Sequence, residues 1–186
     1  MPKTLSTLHT KYVALLRGVN VGGKNKLPMK DLLEVCITAG CGNVQTYIQS
    51  GNVIFSAPPS NSSALSSSIA AQIKKRFGYQ IPVVLRTRPQ LQNIILNNPF
   101  LKAGAAENNL YVMFLANLPD RARVASLDPL RSPGDSFAVS GQEIFLHLPN
   151  GAGNSKLTNA WFDTKLGTIG TSRNWRTVLS LLDLMS

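Results

Sequence analysis

Acidic residues are scarce in this sequence and almost missing from its first half. The chain of 186 residues has nine aspartate and glutamate residues against 19 lysine and arginine residues. Before residue 99 the acidic residues are Asp31 and Glu34, which lie three apart on one predicted helix. Glycosidases and two-metal hydrolases need carboxylates on separate elements, so the first half offers little to such chemistry.

Cysteine and histidine are also rare, with two residues of each. Cys36 and Cys41 cannot build a disulfide framework and have no histidine at zinc-ligand spacing, so we expect a cytoplasmic protein without metal or cofactor. His9 falls in an unpatterned tail and His147 on a predicted strand, where an ordinary sheet role is the simplest interpretation. The sequence therefore identifies no catalytic residue and does not decide whether the protein is an enzyme.

Long apolar runs are missing as well. No run approaches the roughly 20 residues that cross a bilayer, and the first ten residues lack the apolar centre of a secretory signal. We therefore expect no membrane partner.

Positive charge is concentrated at one end of the chain. The formal net charge is +10; residues 1–98 hold 11 basic and two acidic residues, whereas residues 99–186 hold eight and seven. Such an excess favours an anionic partner such as nucleic acid or a phosphorylated metabolite. Charge that only keeps the protein soluble is the alternative.

Apolar periodicity predicts the order β-α-β-β-α-β in the first half, which is typical of ferredoxin-like domains. Glycines 40 and 78 end the two predicted helices. The predicted elements are strands at 12–16, 44–49, 52–55 and 81–85, with helices from Pro28 to residue 39 and from about Leu65 to Phe77.

The same order is predicted to repeat in the second half. Its elements are strands at 110–115, 135–140, 143–148 and 168–171, helices at 120–127 and 158–166, and a C-terminal amphipathic helix containing Val178, Leu181, Leu182 and Met185. We therefore predict an α+β protein with two ferredoxin-like (βαββαβ) halves in tandem. The predicted division is a disordered or loosely held tail (1–10), a first half (11–87), a connecting helix and linker (88–109), and a second half with the C-terminal helix (110–186).

A glycine-rich loop between the first strand and the first helix is the first candidate binding segment. Amides at a helix start favour phosphate or carboxylate groups, and glycines let the backbone approach them. The loop matches neither the Walker A motif nor the dinucleotide fingerprint, and a tight structural turn is the alternative. Its candidate ligand-binding residues are Arg17, Asn20, Lys24, Asn25 and Lys26.

Three further polar segments share this character, and each could equally be structural. A hairpin tip supplies amides and a hydroxyl, a glycine turn before a helix supplies a cation and a capping threonine, and the start of the last helix supplies an arginine and an aromatic ring. Trp175 would stack on a ligand or belong to the core. The candidates are Gln49, Ser50 and Asn52; Lys156, Thr158 and Asn159; and Arg173, Asn174 and Trp175.

These segments also resemble a known family. LLRGVNVGGKNKLPM (15–29), YIQSGNVIF (47–55), SKLTN (155–159) and RNWRTV (173–178) are similar to motifs of the bacterial family called domain of unknown function 1697. The resemblance runs from about Lys11 to Leu184 and implies an α+β fold with ferredoxin-like halves, but no activity. In the glycine turn this chain has Ala152 and Asn154 where the family often has an aromatic and a basic residue, which implies a weaker grip on any ligand there.

Three functions remain open at this point. The first is a module that binds nucleic acid or a nucleotide-like metabolite in a basic cleft; few aromatic residues on the third strand argue against conventional RNA readout. The second is an enzyme acting on a phosphorylated or carboxylated small molecule through electrostatic stabilisation. The third is a protein-interaction scaffold, which an exposed apolar patch would favour.

Overall fold

The computed structural model describes residues 9–59 and 62–186. Most of the predicted loose tail therefore lies outside the described residues. The chain divides into two compact units, with the boundary after Arg88. Residues up to Arg88 are called unit 1 and residues from Pro89 to Leu184 are called unit 2.

Unit 1 carries a four-stranded antiparallel sheet in the order β2-β3-β1-β4. The central strand β1 pairs with β3 and β4, and Tyr12 lies opposite both Phe55 and Thr87. The elements are β1 (Thr10–Leu16), α1 (Met29–Thr38), β2 (Gly42–Tyr47), β3 (Asn52–Ala57), α2 (Ser62–Phe77) and β4 (Val83–Thr87).

Strand β1 is buried on both faces, as its nearly continuous apolar sequence indicates. Tyr12, Ala14 and Leu16 point to one face and belong to the core that both helices help to form. Val13 and Leu15 point to the opposite face and are also fully buried. The helix residues of this core include Leu32, Val35, Cys36, Ile69 and Ile73.

Unit 2 carries a second four-stranded antiparallel sheet, in the order β6-β7-β5-β8. Helix α3 (Arg88–Leu96) begins at the boundary between the units. The remaining elements are α4 (Pro99–Lys102), a 3₁₀ turn (Glu107–Asn109), β5 (Leu110–Leu115), α5 (Arg121–Ala125), β6 (Ser136–Ser140), β7 (Glu143–His147), α6 (Asn159–Leu166), β8 (Gly170–Asn174) and α7 (Trp175–Leu184). The protein is thus α+β, with two four-stranded antiparallel sheets.

Helix α6 packs its apolar side on the sheet of unit 2. Phe162 and Leu166 join Met113 and Leu115 of β5 in one core. The Thr158 side chain accepts a hydrogen bond from the Trp161 amide, and Gly167 ends the helix in the left-handed conformation. Both end signals are those that the sequence predicts.

Several predicted boundaries are wrong. The second strand is Gly42–Tyr47, not 44–49. The last strand is Gly170–Asn174, not 168–171; a Cβ at residue 170 would lie 2.4 Å from the Met113 Cε, so the glycine lets this strand pack closely. The fourth strand begins at Val83. Pro28 is the N-cap of α1 and not its first helical residue.

The predicted linker is more ordered than the sequence suggests. Asn98 caps α4 by accepting hydrogen bonds from the amides of Phe100 and Leu101. The 3₁₀ turn then leads directly into β5. Across the two described stretches of chain, no helix combines the length and apolar character that a bilayer crossing needs.

Candidate functional site

The two polar segments predicted for unit 1 lie together. The Leu16 amide donates to the Gly51 carbonyl at 2.8 Å, which joins the end of β1 to the hairpin between β2 and β3. A Cβ at residue 51 would lie 2.4 Å from Val19 Cγ2 and 2.8 Å from Leu16 Cβ. The glycine therefore lets the hairpin tip pack against the start of the glycine-rich loop.

Asn20 holds the glycine-rich loop to the hairpin. Its amide nitrogen donates to the carbonyls of Leu27 and Gln49, each at 2.9 Å, and its side-chain oxygen accepts from the Leu27 amide at 2.8 Å. These bonds occupy both hydrogens of the Asn20 amide group. They also satisfy a backbone amide just before α1, which has no capping side chain of its own. Asn20 is thus a residue that positions the loop.

Asn25 and Asn52 have similar internal roles. The Asn25 side chain donates to the Gly18 carbonyl at 3.0 Å. Asn52 is fully buried and donates to the Tyr47 carbonyl and to the Ser50 hydroxyl. The backbone carbonyl of Gln49 accepts a hydrogen bond from the Asn20 side chain, and Gln49 is exposed at the hairpin tip.

The loop presents its lysines to solvent. Gly22 and Gly23, with φ of +57° and +75°, form a tight turn closed by a 3.1 Å hydrogen bond from the Lys24 amide to the Val21 carbonyl. Lys24 and Lys26 are exposed, and Arg17 is half-buried at the base of the loop. The amides of Asn20, Lys24 and Leu27 are used within the loop. Its exposed lysine side chains are cations that it offers to an anion.

Both acidic side chains of unit 1 are paired with one arginine. The Arg76 guanidinium lies 2.7 Å from Asp31 and 2.7 Å from Glu34, which connects the first turn of α1 to the last turn of α2. The hydrogen bond with Glu34 raises the pKa of Arg76. Five lysines near these helix ends are exposed and, among the residues that the structure describes, none of them forms an ion pair: Lys24, Lys26, Lys30, Lys74 and Lys75.

Both cysteines of unit 1 are buried, and Cys36 is unsuited to nucleophilic chemistry. Cys36 is fully buried in the core and Cys41 is 5% exposed. The Cys36 thiol donates a hydrogen bond to the Cys41 sulfur; this bond, together with burial, raises the pKa of Cys36, which keeps it protonated at neutral pH, while the same bond lowers the pKa of Cys41.

In unit 2 the candidate residues fall on opposite faces of the sheet. The Ser172 hydroxyl donates to the Asn159 side chain, so Ser172 faces helix α6. Arg173, the next residue on β8, must point to the other face because side chains alternate along a strand. Lys156 is exposed and Thr158 caps α6, so these two residues lie with the α6 side of the sheet.

Arg173 is buried, with 8% of its surface exposed. Its Nη1 donates to the Thr171 hydroxyl and to the Ser172 carbonyl, both at 2.8 Å. Burial lowers the pKa of Arg173 to about 10, because desolvation disfavours the charged form.

A cleft of about 410 Å³ lies where β8 passes into α7. Asn174 ends the strand, and its side-chain oxygen accepts from the Thr177 amide at 2.8 Å, which caps the helix. Two residues of this cleft, Asn174 and Trp175, are among the candidates predicted from the sequence, and the other four are not. The full lining is Glu107, Asn108, Tyr111, Asn174, Trp175 and Arg176.

Trp175 is a core residue, 1% exposed, and so offers no exposed ring for stacking. No acceptor in the described part of the chain bonds its Nε1. An unsatisfied buried polar group costs about 1–3 kcal/mol, and the described residues contain three other such side-chain atoms, in Arg88, Asn98 and Asp135.

The signal for the missed residues was weak. Glu107, Asn108 and Tyr111 fall within or beside the predicted linker, which carries no motif. Arg176 directly follows Trp175, and the exposed position of its side chain depends on the helix start. Within the described stretches, no cluster of three or more histidine, cysteine, aspartate or glutamate residues is arranged to hold a metal ion.

Comparison with known proteins supports the fold. The structure is similar to that of the conserved bacterial protein SP0830 from Streptococcus pneumoniae, with a TM-score of 0.74 and 20% sequence identity. The match covers 96% of this chain and 100% of the other. No curated protein matches the chain.

The family model described as "Protein of unknown function (DUF1697)" matches residues 9–145, which is more than half of the chain and includes the glycine-rich loop and the hairpin. The motifs at 15–29 and 47–55, which suggested this resemblance, lie within the matched region. The chain therefore belongs to the DUF1697 family.

Proposed function

We propose that the protein binds the phosphate groups of a nucleic acid through one end of unit 1. This surface, the basic end, consists of Lys24, Lys26, Lys30, Lys74 and Lys75. The observation that carries the proposal is the pairing of Asp31 and Glu34 with Arg76, which leaves five exposed lysines near one end of the two helices without a carboxylate partner in unit 1.

The connections within unit 1 support a single surface. Asp31 lies in the first turn of α1, and Arg76 lies in the last turn of α2 beside Lys74 and Lys75. The loop that carries Lys24 and Lys26 leads directly into α1. The ion pair holds the two helix ends together, and the continuity of the loop with α1 supports a surface that includes its lysines.

The type of cation favours a long polyanion over a small phosphorylated metabolite. A small phosphate ligand is usually held in a concave site by a few converging donors. Here the cations are exposed lysines on three elements, which suits contacts along a phosphate backbone without sequence readout.

Binding of a labelled single-stranded oligonucleotide, measured by fluorescence anisotropy at several salt concentrations, tests this proposal. We expect the affinity to fall steeply with salt, and the double variant Lys24→Ala/Lys26→Ala to reduce the log–log slope by about 0.7 for each lysine that contacts a phosphate. Lys102→Ala/Lys165→Ala, which removes two exposed lysines of unit 2, is the matched control.

Two results would contradict the proposal. One is binding that does not depend on salt. The other is equal loss of affinity in the control and in Lys24→Ala/Lys26→Ala. Nucleotides or sugar phosphates that compete fully with the oligonucleotide, with unchanged salt dependence, would instead indicate a small-molecule site.

We also infer that each unit is a ferredoxin-like domain. Support comes from the β-α-β-β-α-β order of unit 1 and from the strand orders β2-β3-β1-β4 and β6-β7-β5-β8, in which the last strand of each unit lies beside its first. An experimental structure in which β4 or β8 pairs with a different strand would contradict this inference.

A further inference from the structure

We propose that the cleft between the 3₁₀ turn and the start of α7 binds a small zwitterion of the amino-acid class, a molecule with both a carboxylate and a cationic amine. This site lies wholly within unit 2 and is independent of the basic end of unit 1. Its volume of about 410 Å³ falls within the range of small-molecule sites.

The cleft brings together two opposite charges that do not neutralise each other. Glu107 opens the 3₁₀ turn, and Arg176 lies in the first turn of α7, which contacts that turn. Both side chains are exposed and line the same cleft, yet they form no ion pair with one another. Each is therefore available to a ligand group of the opposite charge.

The helix start favours the carboxylate of such a ligand. Arg176 supplies a planar guanidinium, which suits a carboxylate, and the positive end of the α7 dipole lies beside it. Trp175 also lines the cleft; its side chain is buried and packs at the base of the helix start.

Glu107 favours the amine of such a ligand. The Glu107 carboxylate can pair with an ammonium group, and Tyr111, which is half-buried and lines the cleft, adds an aromatic ring of the kind that attracts cations. A simple anion would be repelled by Glu107, and a simple cation by Arg176. A ligand that carries both charges satisfies both residues.

The test begins with thermal shift measurements on the full chain in the presence of the standard L-amino acids. The amino acid that stabilises best is then compared, by isothermal titration calorimetry, with its desamino and its decarboxylated analogue. We expect each analogue to bind about tenfold or more weakly than the intact amino acid.

Two charge-removing variants assign the two ends of the ligand. Glu107→Gln should abolish the preference for the amino acid over its desamino analogue, and Arg176→Gln should abolish the preference over the decarboxylated analogue. Asp183→Asn and Arg131→Gln remove exposed charges of unit 2 away from the lining and should keep both preferences.

Certain outcomes overturn this inference. One is that no amino acid binds saturably. The other is that the desamino analogue binds as tightly as the intact amino acid and that Glu107→Gln does not change either affinity. Neither outcome bears on oligonucleotide binding by the lysines of unit 1, so the two proposals can fail separately.

Discussion

Tyr12 in unit 1 and Tyr111 in unit 2 occupy corresponding places in the two sheets. Each lies on the central strand opposite the end of the last strand, facing Thr87 and Asn174 respectively. Tyr12 is buried and stacks on Phe55 with 5.6 Å between ring centroids, whereas Tyr111 is half-buried and lines the cleft. Equivalent positions in two similar sheets thus carry a buried core residue in unit 1 and a half-buried residue at the edge of a cleft in unit 2.

The neighbouring positions along these strands are more alike in the two units. Val13 lies opposite Arg86 and Val112 lies opposite Arg173, and both arginines are buried, at 4% and 8% exposure. Each last strand then runs directly into a helix. The shared strand order places these junctions similarly, and the side chains decide what each junction does.

The largest expected effect is at Gly51, where the hairpin between β2 and β3 packs closely against Val19 and Leu16. Gly51→Ala combines a left-handed backbone (φ +73°) with clashes against Val19 and Leu16, so we expect a loss of about 3–4 kcal/mol. Gly78→Ala has the same φ and open space, and should cost about 1–2 kcal/mol. Urea unfolding measures both; equal losses would show that packing at the hairpin contributes nothing.

The next effect compares the loss of stability on replacing an asparagine in the glycine-rich loop of unit 1 with the loss on replacing one in the glycine turn of unit 2. Asn20→Ala removes three hydrogen bonds and leaves alanine at φ +55°, so we expect a loss of roughly 2–3 kcal/mol and weaker oligonucleotide binding. Asn154→Ala removes one local bond on an exposed turn and should change stability little. If the two variants unfold at the same urea concentration, Asn20 does not hold the loop.

A pH-dependent difference is expected at Arg173. The pKa of Arg173 in the folded protein is about 10, which is below the usual value for arginine. At a pH between these two values the unfolded state binds more protons than the folded state, so the free energy of unfolding rises with pH. Arg173→Met should remove about 1 kcal/mol of this gain between roughly pH 9 and pH 11. Chemical unfolding at both pH values measures it, with Arg131→Met, an exposed arginine, as the control. Parallel pH profiles for Arg173→Met and the unmodified protein would contradict the prediction.

The smallest effect concerns the charge difference between the units. Arg76→Gln releases Asp31 and Glu34 near the lysines of the basic end, so oligonucleotide affinity should fall while thermal stability changes little, because exposed ion pairs contribute weakly. Arg131→Gln, which removes an equal charge from unit 2, is the control. Unchanged affinity in Arg76→Gln would show that the pairing of the two acids is irrelevant to binding.

Much of the fold could be predicted from periodicity and end signals. The strand Leu110–Leu115 agrees at both ends, and Asp120, Thr158 and Gly167 end or begin their helices as capping rules indicate. The sequence misplaces the last strand because a glycine within a strand weakens the apolar pattern. The close packing of Gly170 against Met113, which requires a glycine there, is seen only in the structure.

The candidate site was predicted less completely. Asn20, Asn25 and Asn52 attract attention in a sequence because asparagine is common both in turns and in binding sites, and here their side chains bond backbone or neighbouring groups. Glu107 and Arg176 are far apart in the sequence and belong to no motif. Their common cleft could not be inferred without the contact between α7 and the 3₁₀ turn.

The sequence by itself determined the scarcity of acid, the excess of lysine before residue 99, and the order of strands and helices, because composition and periodicity are local properties of the chain. Only the tertiary structure decided that Arg76 takes both acids of unit 1, that Arg173 is buried, and that Glu107 and Arg176 line one cleft. These facts depend on contacts between residues distant in the chain, and such contacts are set by how the elements pack.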